Sequence, residues 1–104
     1  MSILTQVKTL LAKREAWTQN SNARAVDRSP VCYFQPEAVC WCVNGALAKI
    51  TEDTNHYIGA ITLLDKIARE MGYDSAVHLN DTADWEKVHE LLDKAVIRDG
   101  GMAS

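Results

Sequence analysis

Apolar side chains recur at three- and four-residue spacing in four separate stretches of this 104-residue chain, and only a helix turns that spacing into one continuous face that can be buried. In the first stretch Ile3, Val7, Leu10 and Leu11 follow Ser2, a residue type that caps helix starts, which predicts a helix near 3–16. Pro36 suits a first helical turn, and Val39, Val43, Ala46, Leu47 and Ile50 predict a second helix near 36–51, the most apolar and therefore the central one. Thr54 or Asn55 can cap a third, near 55–71, whose Ile58, Ile61, Leu64, Ala68 and Met71 run up to Gly72, a residue suited to a left-handed terminus. The fourth starts at Asp81 or Thr82, turns Trp85, Val88, Leu92, Ala95 and Val96 inward and stops before Gly100 and Gly101, leaving 102–104 frayed.

The stretches between are not periodic. Residues 18–31 are polar and contain Pro30, so they read as loop with at most one helical turn. Residues 73–81 read as a connection, with Ala76, Val77 and Leu79 briefly extended or tucked under the helices. The expected fold is therefore all-α: one helical domain over 1–104, a compact antiparallel bundle of about four helices with a long irregular loop near residues 18–35.

A chain of this size buries only about two-thirds of the surface its unfolded form exposes, so self-association would help it, and a homo-oligomer, with a dimer favoured, is expected. The net charge of −3 argues against a nucleic-acid partner, because such modules concentrate cations on one face. The densest basic stretch, Lys8, Lys13, Arg14, Arg24 and Arg28, is interrupted by Glu15 and Asp27 and holds one aromatic, Trp17. It reads first as a solvated mixed-charge face. No run approaches the ~20 apolar residues of a membrane span, and no signal-peptide core opens the chain, so a cytoplasmic protein without a membrane partner is expected. Three cysteines, Cys32, Cys40 and Cys42, fit reduced thiols better than a disulfide framework.

No glycine-rich phosphate loop, paired metal-ligand motif or nucleophile elbow is present in the sequence, so no catalytic residue, metal ligand or cofactor is assigned. Cys40 and Cys42, if helical, would point about 200° apart and could not share a metal; they read as buried thiols. His56, His78 and His89 are scattered; His78 and Asp81 could orient one another, while Glu86 and Glu90 share a face and read as solvated. Asn44 and Gly45 interrupt an apolar helix, where an amide must find partners and a glycine costs about 0.5–1 kcal/mol relative to alanine. Something must approach the backbone there. Close packing with Asn44 bonded to a neighbouring loop is the first reading, a ligand contact the second. Asn80-Asp81-Thr82 reads first as a helix cap and second as polar groups converging on a bound molecule. Trp17, Trp41 and Trp85 read as core or inter-subunit anchors.

Trp17, the stretch Asn22 to Asp27, the stretch Cys40 to Leu47, the Leu79-Asn80-Asp81 run and the closing Val88 to Val96 helix follow one another in an order similar to that of a family of small uncharacterised proteins of bacteria and their phages, a domain of unknown function. The resemblance spans residues 17–96 and implies no activity. Members tend to follow the Asn-Asp pair with a turn containing Pro or Gly, whereas this chain has Thr82-Ala83-Asp84.

Size, acidity and missing catalytic motifs lead to a non-enzymatic binding or regulatory protein, a phage or bacterial accessory factor acting through protein contacts. The chief alternative is a binder of a small, nucleotide-like molecule, with Trp17, Arg24, Asn44, Asn80 and Asp81 as the ligand-binding residues. A small hydrolase using His78, Asp81 or a cysteine is the third. A pocket would require Arg24, Asn44, Asn80 and Asp81 to meet on one concave surface; an interaction protein would expose an apolar patch instead.

Overall fold

The computed structural model describes residues 2–51 and 54–103, and side chains up to residue 99. Five α-helices, α1 (Ile3–Leu10), α2 (Val43–Ile50), α3 (Thr54–Glu70), α4 (Ala76–Thr82) and α5 (Trp85–Ala103), pack around one apolar core. A single 3-10 turn, Arg14–Ala16, follows α1. The core is built from Val7 and Leu11, from Val43, Ala46 and Leu47, from Leu64, Ile67 and Ala68, and from Leu79, Val88, Leu91, Leu92 and Ala95, all with no exposed surface. The apolar stripes of α2, α3 and α5 therefore fall largely where their period placed them. Val39 and Ile58, assigned to those stripes, are instead 43% and 52% exposed. Val39 lies outside any helix, and Ile58 sits in the first two turns of α3, beyond the reach of the core.

The chain is not purely helical. The segment read as irregular folds into a small antiparallel sheet of three two-residue strands, β1 (Ala23–Arg24), β2 (Pro30–Val31) and β3 (Cys40–Trp41), in the order β2-β1-β3. Ala23 faces Val31 on one side and Trp41 on the other, with Arg24 between Pro30 and Cys40. Two-residue strands show no alternation to read, which is why the pattern passed for loop. The β1–β2 turn closes with Arg28 in the left-handed region at φ 73°. The Asp27 carboxylate accepts both the Ser29 hydroxyl and amide, and these bonds hold its pKa below the usual carboxylate value.

Helix boundaries moved for local reasons. The helix near 36–51 begins only at Val43, because β3 takes residues 40–41 and Cys42 becomes the cap, its Sγ accepting the Gly45 amide at 3.2 Å. The connection at 73–81 contains α4, capped by Ser75. Asn80 and Asp81 thus lie inside a helix and do not start one; Asp84 caps α5, accepting the Lys87 amide at 2.9 Å. The first helix ends at Leu10, short of residue 16. Helix α5 continues through Gly100 and Gly101 to Ala103; glycines weaken a helix without ending it, at about 1 kcal/mol each. Thr54 and Asn55, expected to cap the third helix, lie instead within its first turn, and Ser104 lies outside the described residues. Gly72 meets expectation: at φ 99° it ends α3, with Tyr73 N–H bonding Ala68 C=O at 3.0 Å and Gly72 N–H bonding Arg69 C=O at 3.1 Å.

Gly45 explains why a glycine sits in the central helix. A Cβ there would stand 1.9 Å from the Asn22 carbonyl oxygen, part of the backbone that leads into β1. Helix and sheet segment can meet only where no side chain intervenes. Gly45→Ala should therefore lower stability by about 2–3 kcal/mol or more, as overpacking of a rigid contact does. Lys49→Ala, which removes an exposed cation 5.3 Å from the Trp41 ring, should cost less than about 1 kcal/mol. Urea unfolding of the two variants beside the parent measures this; a Gly45→Ala midpoint equal to the parent's would show that the segment around Asn22 yields freely.

Candidate functional site

Asn80 is a polar side chain with 1% of its surface exposed. Its Oδ1 accepts the Trp17 indole N–H at 2.8 Å and the Val43 backbone N–H at 3.0 Å. Its Nδ2 donates to the Thr18 carbonyl at 3.1 Å and to Asp81 Oδ1 at 3.0 Å. A carboxamide has two donor hydrogens and two acceptor lone pairs, and all four are engaged by the chain itself. The Val43 bond also satisfies one of the orphan amides at the start of α2.

The network widens from there. Asp81 Oδ1 also accepts the Asn20 amide at 2.9 Å, with Asn20 in the left-handed region at φ 64°. Gln19 Nε2 donates to the carbonyls of Asn80 and Ala83 at 3.0 and 2.8 Å. Arg24 reaches Thr18 Oγ1 at 3.1 Å, the Arg28 carbonyl at 2.8 Å and the Gln19 carbonyl at 3.3 Å. Of the residues the sequence singled out for a ligand, Trp17, Arg24, Asn80 and Asp81 are thus joined in one web between the segment 17–24 and helix α4. Asn44 stands apart from it. Its Nδ2 donates to Asn22 Oδ1 at 3.2 Å and its Oδ1 accepts the Tyr57 hydroxyl.

Asn44 lines a cleft of about 380 Å³ together with Asn22, Tyr33, Thr51, Thr54 and Tyr57. Trp17 borders a different, shallow groove of about 500 Å³, with Arg14, Tyr73 and Lys87 on its rim. Asn22, Tyr33 and Tyr57 are not among the ligand residues expected from the sequence, since isolated amides and phenols carry no sequence pattern for a site. Burial, followed by the nearby Asp65 charge, pushes the Tyr57 phenol pKa up, so its hydroxyl stays protonated near neutral pH.

All three tryptophans tie distant segments through their N–H groups: Trp17 to Asn80, Trp41 to the Tyr33 carbonyl at 3.1 Å and Trp85 to the Leu11 carbonyl at 3.0 Å. His89 Nε2 also lies 2.6 Å from the Leu11 carbonyl, which fixes Nε2 as the protonated nitrogen. His78 and Asp81 bond to different partners: His78 Nδ1 accepts the Asp74 amide at 3.0 Å. Among the described residues no three His, Cys, Asp or Glu side chains are placed to hold a metal ion, and no helix is long and apolar enough to cross a membrane.

The cysteines are all free, with Cys32 exposed and Cys40 and Cys42 buried. The helical argument about the last two is replaced by another, since Cys40 lies on β3 and Cys42 is a cap. Burial pushes the Cys42 thiol pKa up, so less thiolate is available at neutral pH. A thiol reagent added to the native protein at pH 7 should therefore modify Cys32 rapidly and Cys42 only on unfolding; equal rates would contradict this packing. Asn80→Ala would strand the Trp17 and Val43 N–H groups and the Thr18 carbonyl, at about 1–3 kcal/mol for each group left buried. Asp81→Ala removes bonds from a partly exposed residue and should cost about 1 kcal/mol. Thermal melts of both variants test that order, and a smaller loss for Asn80→Ala would refute it.

No curated protein and no solved structure matches the chain. The profile of a family of unknown function, DUF6197, matches residues 1–98. With nearly its whole length matched, the chain belongs to that family.

Proposed function

We propose that this protein is a non-enzymatic binding protein working through protein contacts, and that the connections of the small sheet are its contact surface. It would serve as an accessory factor in a bacterium or its phage, in a reducing cytoplasm that suits its free thiols. One observation carries the reading. Six large apolar side chains are exposed among the described residues, and three of them, Val26 at 81%, Phe34 at 68% and Val39 at 43%, lie in the two connections 25–29 and 32–39. Exposed apolar groups of this size on a rigidly held loop favour burial against a partner.

The partner that fits is a second copy of the chain. In a two-fold interface the same patch meets itself, so it must be self-complementary. These connections carry Asp27, Arg28 and Glu37, which sum to a single negative charge, so two copies would meet there with little repulsion. Sedimentation velocity should find a dimer for the parent. Phe34→Asp combined with Val26→Asp should return it to a folded monomer, since both side chains are exposed, whose melting temperature no longer rises with protein concentration as the parent's does. A parent that stays monomeric at high micromolar concentration overturns the dimer.

A further inference from the structure

We infer that the cleft between α2, the start of α3 and the loop after β2 is a binding site for an uncharged, hydroxyl-rich small molecule of the sugar class. Its volume of about 380 Å³ lies at the lower end of the ~300–1,000 Å³ usual for small-ligand pockets, enough for one ring. Six of its lining side chains are amides or hydroxyls, from Asn22, Tyr33, Asn44, Thr51, Thr54 and Tyr57. None is charged, so no cation is there to hold an anionic ligand. This separates the site from a nucleotide pocket, because a phosphate needs cations.

Four of the six polar side chains are held in place by hydrogen bonds, and open polar groups remain beside them. Tyr57 O–H donates to Asn44, Asn44 Nδ2 donates to Asn22 Oδ1, and the Thr51 hydroxyl donates to the Leu47 carbonyl at 2.8 Å. These bonds set the positions of Asn22, Asn44, Thr51 and Tyr57 before any ligand arrives, which lowers the ordering cost of binding. The Tyr33 and Thr54 hydroxyls and Asn22 Nδ2 make no hydrogen bond among the described residues. The Tyr57 oxygen keeps its lone pairs and Asn44 Nδ2 a second proton. Open donors and open acceptors are therefore mixed across three chain segments. A sugar hydroxyl both donates and accepts, and a sugar ring offers several in different directions, while its C–H face suits a tyrosine ring. A nucleobase would instead want a flat slot between parallel rings, and the ring that packs on Tyr33 is Phe34, edge-on at 85°.

Titration of the ¹⁵N-labelled full chain with a panel of uncharged sugars, D-glucose, D-galactose, D-ribose and N-acetyl-D-glucosamine, tests the site, with adenosine and inorganic phosphate as comparison probes. At least one sugar should shift the amides of Tyr33, Asn44, Thr54 and Tyr57 saturably. Tyr33→Phe, which keeps the ring and removes one open hydroxyl, should weaken that binding about fivefold, the size of one net hydrogen bond. Tyr33→Ala should weaken it more. Neither change touches the Tyr33 carbonyl that holds Trp41. No saturable shift from any sugar, saturation by adenosine or phosphate alone, or unchanged affinity in both variants would each overturn the assignment. The dimer test reads sedimentation and uses Val26 and Phe34, so failure there leaves this result independent.

Discussion

A carboxamide buried among aliphatic side chains costs several kcal/mol unless every polar atom finds a partner, and Asn80 meets that condition with four bonds to three different parts of the chain. The bonds bind the segment after α1, the first turn of α2 and the neighbouring residue of α4 at one point. Such an arrangement is cooperative: losing one partner leaves the others buried without compensation. The strands depend on it, since three two-residue strands are too short to hold together alone. What fixes them is the web of Trp17, Thr18, Gln19 and Asn20 on α4, with Thr18 N–H bonding the Trp41 carbonyl at 3.0 Å.

The apolar core and this polar web divide the work. Leu47, Leu64, Leu79 and Leu91, completely buried, assemble the helices through non-directional burial. Burial alone would leave the segment 17–42 free to slide, because it contributes few large core side chains. Directional bonds and one close approach, Asn22 against Gly45, set its register. Tryptophan N–H groups act in the same way at longer range, joining residues 85 and 11 as well as 41 and 33.

Both proposed surfaces grow out of that anchored segment. Phe34 and Tyr33 are adjacent in sequence, yet the first carries its ring mostly into solvent and the second lines the cleft. The connection that holds them is short and tied at its ends, by the Gln35 side chain to the Cys32 amide at 2.7 Å and by the Val39 amide to the Arg24 carbonyl at 2.9 Å. A loop fixed in this manner can present side chains without a large ordering cost on binding.

The sequence alone determined the helices that own a long apolar period. Val43 to Ile50, Leu64 to Met71 and Val88 to Val96 were readable because a buried stripe repeats with the helical turn, and Gly72 because a left-handed terminus favours glycine. It also marked Asn44, Gly45 and Asn80 as residues needing an explanation. Only the tertiary structure decided what that explanation was. Three of the four bonds of Asn80 go to atoms 37 to 63 positions away, and the contact of Gly45 is with Asn22, and no local pattern encodes partners at such separations. The strands stayed hidden for the same reason: at two residues each their identity lies in pairing, which is a property of the folded chain. The cleft around Tyr33, Asn44 and Tyr57 exists only once three segments distant in sequence have been brought together by the core.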